Sequence, residues 1–131
     1  MAYCTRGDIE LVFGAKNVRV WADLDGDGNE ANITARIAHA CDVAQEEIDS
    51  VLRSTPYSLP IKDESGNSVP IITEASAVLA GVYLYESRGV SLRQQDPSQP
   101  VAPYHPYTYK REWVYGILKD IVKGVRRLDA V

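Results

Sequence analysis

Ile33, Ile37, Ala40, Cys41, Ala44, Ile48 and Leu52 recur at spacings of three and four. That period lays apolar side chains along one face of a helix and predicts an amphipathic helix over roughly 31–53. Its other face carries Arg36, His39, Asp42, Glu46, Glu47 and Asp49, and Pro56 lies just past its end. A second helix is expected over 71–88, with Pro70 at its first turn, where a missing N–H costs nothing. Here Ala75, Val78, Leu79, Val82 and Tyr83 share one face, while Ala77, Ala80, Gly81 and Leu84 make the other apolar too. A helix apolar nearly all round is central in its fold or covered by another subunit, which makes Val82, Leu84 and Tyr85 candidate subunit-interface residues. A third helix is expected over 108–128, with Trp113, Ile117, Ile121, Val125 and Leu128 as one stripe and Val114, Leu118 and Val122 beside it.

The remaining segments are shorter or irregular. Thr5 and Asp8 match a capping box with Asp in place of Glu, and Gly14 supplies a stop after Ile9, Val12 and Phe13, so a short helix is expected there. Residues 17–22 read as one brief helical turn with Val18 and Trp21 turned inward. Residues 55–69 hold Pro56, Pro60, Gly66 and Asn67, a loop with a small hairpin around 64–67. Residues 90–108 hold four prolines together with Tyr104, His105 and Tyr107, and lack a helical period. A connector of about 18 residues is long for a compact domain and usually functional. Recognition by this loop and packing by its own aromatics both stay open. The expected fold is all-α, one domain over 1–131: a small bundle of three main helices plus a short N-terminal helix, with long loops.

Composition narrows the class of function. The chain has 131 residues, 45% of them hydrophobic and 24% charged, which excludes wholesale disorder. Its longest nearly apolar run, 75–85, is well short of the roughly 20 residues that span a bilayer, and no export signal opens the sequence. Net charge is −4, whereas general nucleic-acid binders are basic. The charge is uneven: residues 109–131 carry six Lys and Arg against three acids, so this segment is +3 and the rest −7. A docking segment and a solvated helix face both fit that asymmetry. So does a helical nucleic-acid binder using Lys119, Lys123, Arg126 and Arg127. Cys4 and Cys41 form no motif, and Cys41 falls on the apolar face of its helix. Two thiols without an export signal point to a reducing compartment.

Candidate chemistry is sparse. Asp23, Asp25 and Asp27 alternate, with Gly28 in the sixth place, as in the first half of an EF-hand calcium loop. The second half departs from it: Thr34 stands where a bidentate Glu is required, and Glu30 where an apolar residue is usual. A turn leading into a helix N-terminus and a weak divalent site remain the two readings, the latter giving a small calcium-binding interaction module. His39 and His105 have no partner at metal-ligand spacing, and no nucleophile elbow, P-loop or dinucleotide fingerprint is present. Glu46 and Glu47 are expected to face solvent. No catalytic residue, cofactor or metal is expected.

The order of features is more specific than any one of them. Met-Ala-Tyr-Cys-Thr-x-x-Asp-Ile at the start is followed by Phe13-Gly14 and Asp-x-Asp-Gly-Asp-Gly, then a long Ile/Ala helix ending near Ile48-Asp49. Pro56-Tyr57-x-Leu-Pro60 comes next, and Leu118-x-x-Ile121-x-x-Gly124 near the end. Over 1–88 and 109–128 the chain resembles a small tailed-bacteriophage family of Mu-like genomes, related to head–tail adaptor (connector) proteins. The resemblance implies a helical, non-enzymatic virion protein, made in the bacterial host cytoplasm. It implies a homo-oligomeric ring, commonly twelvefold, beneath the portal protein and above a tail or stopper protein. DNA would pass through its lumen without sequence-specific binding, and no membrane is involved. In such rings the C-terminal helix reaches up to the portal, which makes 109–128 the docking helix and Lys119, Lys123, Arg126, Arg127 and Leu128 its contacts. The Pro/Tyr loop departs from the family in length. Tyr104, His105 and Tyr107 are its candidate contacts to neighbours.

Overall fold

Thr5 and Asp8 close the expected capping box: the Thr5 hydroxyl accepts from the Asp8 N–H, and the Asp8 carboxylate accepts from the Thr5 N–H at 2.8 Å. The helix they start, α1 (Arg6–Phe13), ends at Gly14, whose φ of +93° is open to glycine at little cost. The structure is a computed structural model that describes residues 2–88 and 107–131. Further along the chain come α2 (Ala15–Ala22), α3 (Glu30–Leu52), α4 (Pro70–Glu86) and α5 (Thr108–Val122), with no strand among the described residues. The brief turn expected at 17–22 is thus a complete two-turn helix, with Val18 and Trp21 buried as anticipated. The Asn29 side chain caps α3 by accepting from the Ala31 and Asn32 N–H groups. The hairpin expected around 64–67 is a turn closed on Asp63, whose N–H donates to the Asn67 carbonyl.

The central position of α4 follows from its composition. Ten of its residues are buried, among them Ala75, Ser76, Ala77, Ala80 and Gly81, and small side chains let neighbouring helices approach closely. It packs against α1, α2, α3 and α5. Val82 and Leu84 are 1% and 2% exposed inside this single chain, so they are core residues and not the interface expected of them. Of the two sequence alternatives for α4, centrality within its own fold accounts for their burial.

α5 departs from expectation in register and length. Its core stripe is Val114, Ile117, Leu118 and Ile121. Trp113 and Val122 are each 43% exposed. The helix stops at Val122 because Gly124 takes φ +76° and closes a Schellman motif. The Val125 N–H donates to the Asp120 carbonyl at 3.0 Å, and the Gly124 N–H to the Ile121 carbonyl at 3.1 Å. Val125, expected on the apolar stripe, is therefore 77% exposed. The tail then folds back over the loop after α3. The Leu128 N–H donates to the Tyr57 hydroxyl at 2.9 Å, the Ser58 N–H to the Val131 carbonyl, and the Val131 N–H to the Lys62 carbonyl. At the other end of the chain, the Tyr3 hydroxyl donates to Asp49 of α3 and accepts from the Ile61 N–H. No helix among the described residues is long and apolar enough to cross a membrane.

Candidate functional site

The Schellman turn sets the geometry of the basic end of the chain. Lys119 and Lys123 lie one turn apart on the solvent side of α5. The turn at Gly124 then holds Arg126 beside them, its N–H donating to the Asp120 carbonyl at 3.1 Å. Lys119, Lys123, Arg126 and Arg127 are all exposed, and none makes a side-chain hydrogen bond or ion pair among the described residues. Val122 and Val125 stand exposed among them. Part of the placement answers the helix itself, since cations near the last carbonyls gain roughly 0.3–1 kcal/mol each from the macrodipole. What remains is a cationic surface with apolar patches, able to take carboxylates bidentately through its arginines.

Leu128 does not belong to that surface. It is 8% exposed and part of the core, because the chain turns back at Gly124 and buries its side chain. The residues expected to serve the loop fall into two groups. Tyr104 and His105 lie outside the described residues. Tyr107, expected to meet a neighbour, sits edge-on to three rings among the described residues: Tyr85 at 5.0 Å, Phe13 at 5.1 Å and Trp21 at 5.4 Å between centroids. Tyr85 completes that cluster against Trp21 at 5.2 Å and is half-buried there, its ring engaged within the chain. Edge-to-face pairs of this kind contribute roughly 0.5–1.5 kcal/mol beyond area burial, and they fix the start of α5 against α1, α2 and α4.

The acidic loop uses its carboxylates internally. Asp23 accepts from the Gly28 N–H at 3.1 Å, Asp27 from the Asn29 N–H at 3.0 Å, and Asp25 pairs with Arg36 of α3 at 2.8 Å. These bonds shape a turn and lead the chain into the Asn29 cap. Among the described residues, no three His, Cys, Asp or Glu side chains converge as a metal site. His39 is exposed, its ring 6.0 Å from that of Tyr83.

Several connections were not legible in the sequence. Glu46 and Glu47, expected together in solvent, part company: Glu46 accepts from Arg53 at 2.7 Å, and Glu47 accepts from the Tyr115 hydroxyl of α5. Arg111 pairs with Glu86 and joins α5 to α4. Tyr109 and Trp113, four residues apart on one exposed flank, line a cleft of about 240 Å³ with Glu74, Val78 and Lys110. Their spacing of four is the available signal, although the same apolar period also puts Trp113 on the stripe of Ile117 and Ile121. Cys4 and Cys41 meet in space, which no local motif signals.

Neither curated proteins nor solved structures gave a match to this chain. A family match does cover nearly its whole length, residues 3–130, in agreement with the order of features along the sequence. The chain belongs to the Bacteriophage Mu, Gp36 family.

Proposed function

We propose that the chain is a structural protein of the virion, a head-to-tail adaptor, and that Lys119, Lys123, Arg126 and Arg127 form its portal-docking surface. Membership of a phage Mu family supports a virion-related structural protein over an enzyme. The observation that carries the docking assignment is the set of four exposed cations around the Gly124 turn, unpaired among the described residues, on a chain whose residues 1–108 sum to −7. Charges built into the fold hold it through internal pairs, as Arg36 does with Asp25. Charges left free at one end are available to a partner.

The adaptor assembles as a ring, commonly twelvefold in the related proteins, between the portal and a tail or stopper protein, with DNA passing through the lumen. Repetition around the ring converts a weak contact per subunit into firm attachment. Removing the residues after Gly124 is a poor test, because it strips Leu128 from the core and breaks the Tyr57, Ser58 and Lys62 bonds. Charge reversal tests the surface directly. Arg126→Glu combined with Arg127→Glu is expected to leave the chain folded and helical, with melting lowered only by the lost dipole interaction of roughly 0.3–1 kcal/mol per cation, and to abolish co-sedimentation with portal rings at moderate salt. High salt should release the unaltered protein as well. Co-sedimentation of the double variant at the level of the unaltered chain would place the docking surface elsewhere.

A further inference from the structure

The two cysteines are 37 residues apart in sequence, yet their sulfurs lie 3.4 Å apart, one thiol donating to the other. Both are reduced and 4% exposed. They form part of the floor of a cleft of about 240 Å³ whose lining also includes Ala2, Arg6, Ile37 and Asp42. Cys4 sits on the non-helical segment before α1, whereas Cys41 is fixed in the middle of α3. One partner is thus carried on irregular chain, which can adjust, and the other on a rigid element. The two thiols are unlike in acidity. The hydrogen bond with Cys41 holds the Cys4 thiol below the ordinary range, with a further contribution from Ser76 and against the effect of burial. The same hydrogen bond, with burial, pushes Cys41 up. Ser76 is fully buried and its hydroxyl has no hydrogen-bond partner of good geometry in the reduced pair, which leaves it available as a donor to a Cys4 thiolate.

We infer that Cys4 and Cys41 are a peroxide-oxidisable pair that closes to an intramolecular disulfide, with Cys4 as the attacking thiol and Cys41 as the resolving one. Both cysteines line that cleft, and its volume is ample for a molecule the size of hydrogen peroxide. The Cys4 thiolate attacks one peroxide oxygen, the O–O bond breaks, and hydroxide leaves, taking up the proton that Cys4 released to become water. Cys4 is then a sulfenic acid. The Cys41 sulfur attacks the Cys4 sulfur, the S–O bond breaks, and the departing hydroxide takes the Cys41 proton. Two thiols are oxidised by two electrons, one peroxide is reduced, and two waters form. The product ties the N-terminal segment to α3 beside the Tyr3–Asp49 bond. For a particle assembled in a reducing cytoplasm and released at lysis, that closure would follow assembly. The chemistry itself holds whether or not the chain docks on a portal.

The experiment treats the full reduced chain with hydrogen peroxide, then unfolds it in guanidinium with N-ethylmaleimide and measures intact mass. The expected product is a monomer that has lost two hydrogens, takes up no maleimide, recovers both thiols with dithiothreitol, and melts about 10 °C higher. Cys41→Ser, whose hydroxyl can still donate to Cys4, is expected to stop at the sulfenic acid and be trapped by dimedone. Cys4→Ser should react at least tenfold more slowly. Two maleimides on the treated chain, a disulfide-linked dimer, or sulfinic acid without a disulfide would each overturn the inference. Equal dimedone labelling of the two variants would overturn the assignment of roles.

Discussion

Gly81 of α4 and Phe13 of α1 fit together as ring against bare backbone. A Cβ built on Gly81 would stand 2.1 Å from the Phe13 Cε2 and 2.3 Å from its Cδ2. That ring has little room to retreat, since Trp21 and Tyr107 stand edge-on to it at 5.5 and 5.1 Å. Gly81 is helical and has no unusual φ, so its value here is the missing side chain and not conformational freedom. Gly81→Ala is therefore expected to destabilise the chain by about 1–3 kcal/mol despite the better helix propensity of alanine. Urea unfolding measures it. Adding Phe13→Leu, which gives the methyl space, should make the double variant less unstable than the two single losses added together. Strict additivity would mean that the clash is relieved some other way.

The clip between the tail and the loop after α3 gives a second expectation. Leu128→Ala removes a buried side chain and should cost about 2–4 kcal/mol. Tyr57→Phe removes the acceptor of the Leu128 N–H and should cost about 1 kcal/mol. Both variants are expected to raise amide exchange at Ser58 and Val131, whose N–H groups the clip holds. Unchanged protection at those two amides would show that the tail is held by other contacts.

The acidic loop is expected to be indifferent to calcium. Its carboxylates serve the Gly28 and Asn29 amides and Arg36. Chelation by EDTA, or addition of calcium, should move the melting temperature by less than one degree on the order of experimental error. A site saturated at 100 times its dissociation constant would instead add about 2.7 kcal/mol, several degrees in a domain of this size. A rise of that size would restore the divalent reading. Asp25→Asn should cost only about 0.2–1 kcal/mol, as expected of a pair this exposed.

Legibility in the sequence followed the range of the interactions. The capping box at Thr5, the stop at Gly14 and the long period of α3 are local, and each lies where the spacing put it. The end of α5 was misplaced for a physical reason. Val125 and Leu128 happen to keep the helical phase of Ile117 and Ile121, so the apolar pattern runs on through Gly124 although the backbone turns back there. The glycine was the stronger signal, because only its left-handed φ lets the Asp120 and Ile121 carbonyls find donors. The four-ring cluster of Phe13, Trp21, Tyr85 and Tyr107 and the meeting of Cys4 with Cys41 draw on distant segments, and no local pattern marks them. The exposed cations were visible as charge. That they are unpaired among the described residues became visible only with the fold.

The Tyr115–Glu47 bond joins α5 to α3 and carries a pH signature. Burial first, then donation to the Glu47 carboxylate and the nearby negative charge, pushes the Tyr115 hydroxyl up from its ordinary 10 to about 12. The folded chain thus keeps this proton more tightly than the unfolded chain. Its contribution is fully present below pH 10, where both states hold the proton, and is lost as the pH rises from 10 through 12. Tyr3, raised by burial and by Asp49, acts in the same direction and lies higher. Stability should accordingly fall with alkali above pH 10, and Tyr115→Phe should flatten part of that fall while costing stability at neutral pH through the lost bond. The check is urea unfolding at several pH values between 9 and about 12, with phenolate absorbance recorded on the folded chain. Tyr115→Phe is expected to remove one late-ionising phenol from that titration. A variant with the same alkaline slope as the unaltered chain would mean that Tyr115 ionises freely and that its bond to Glu47 does not hold in solution.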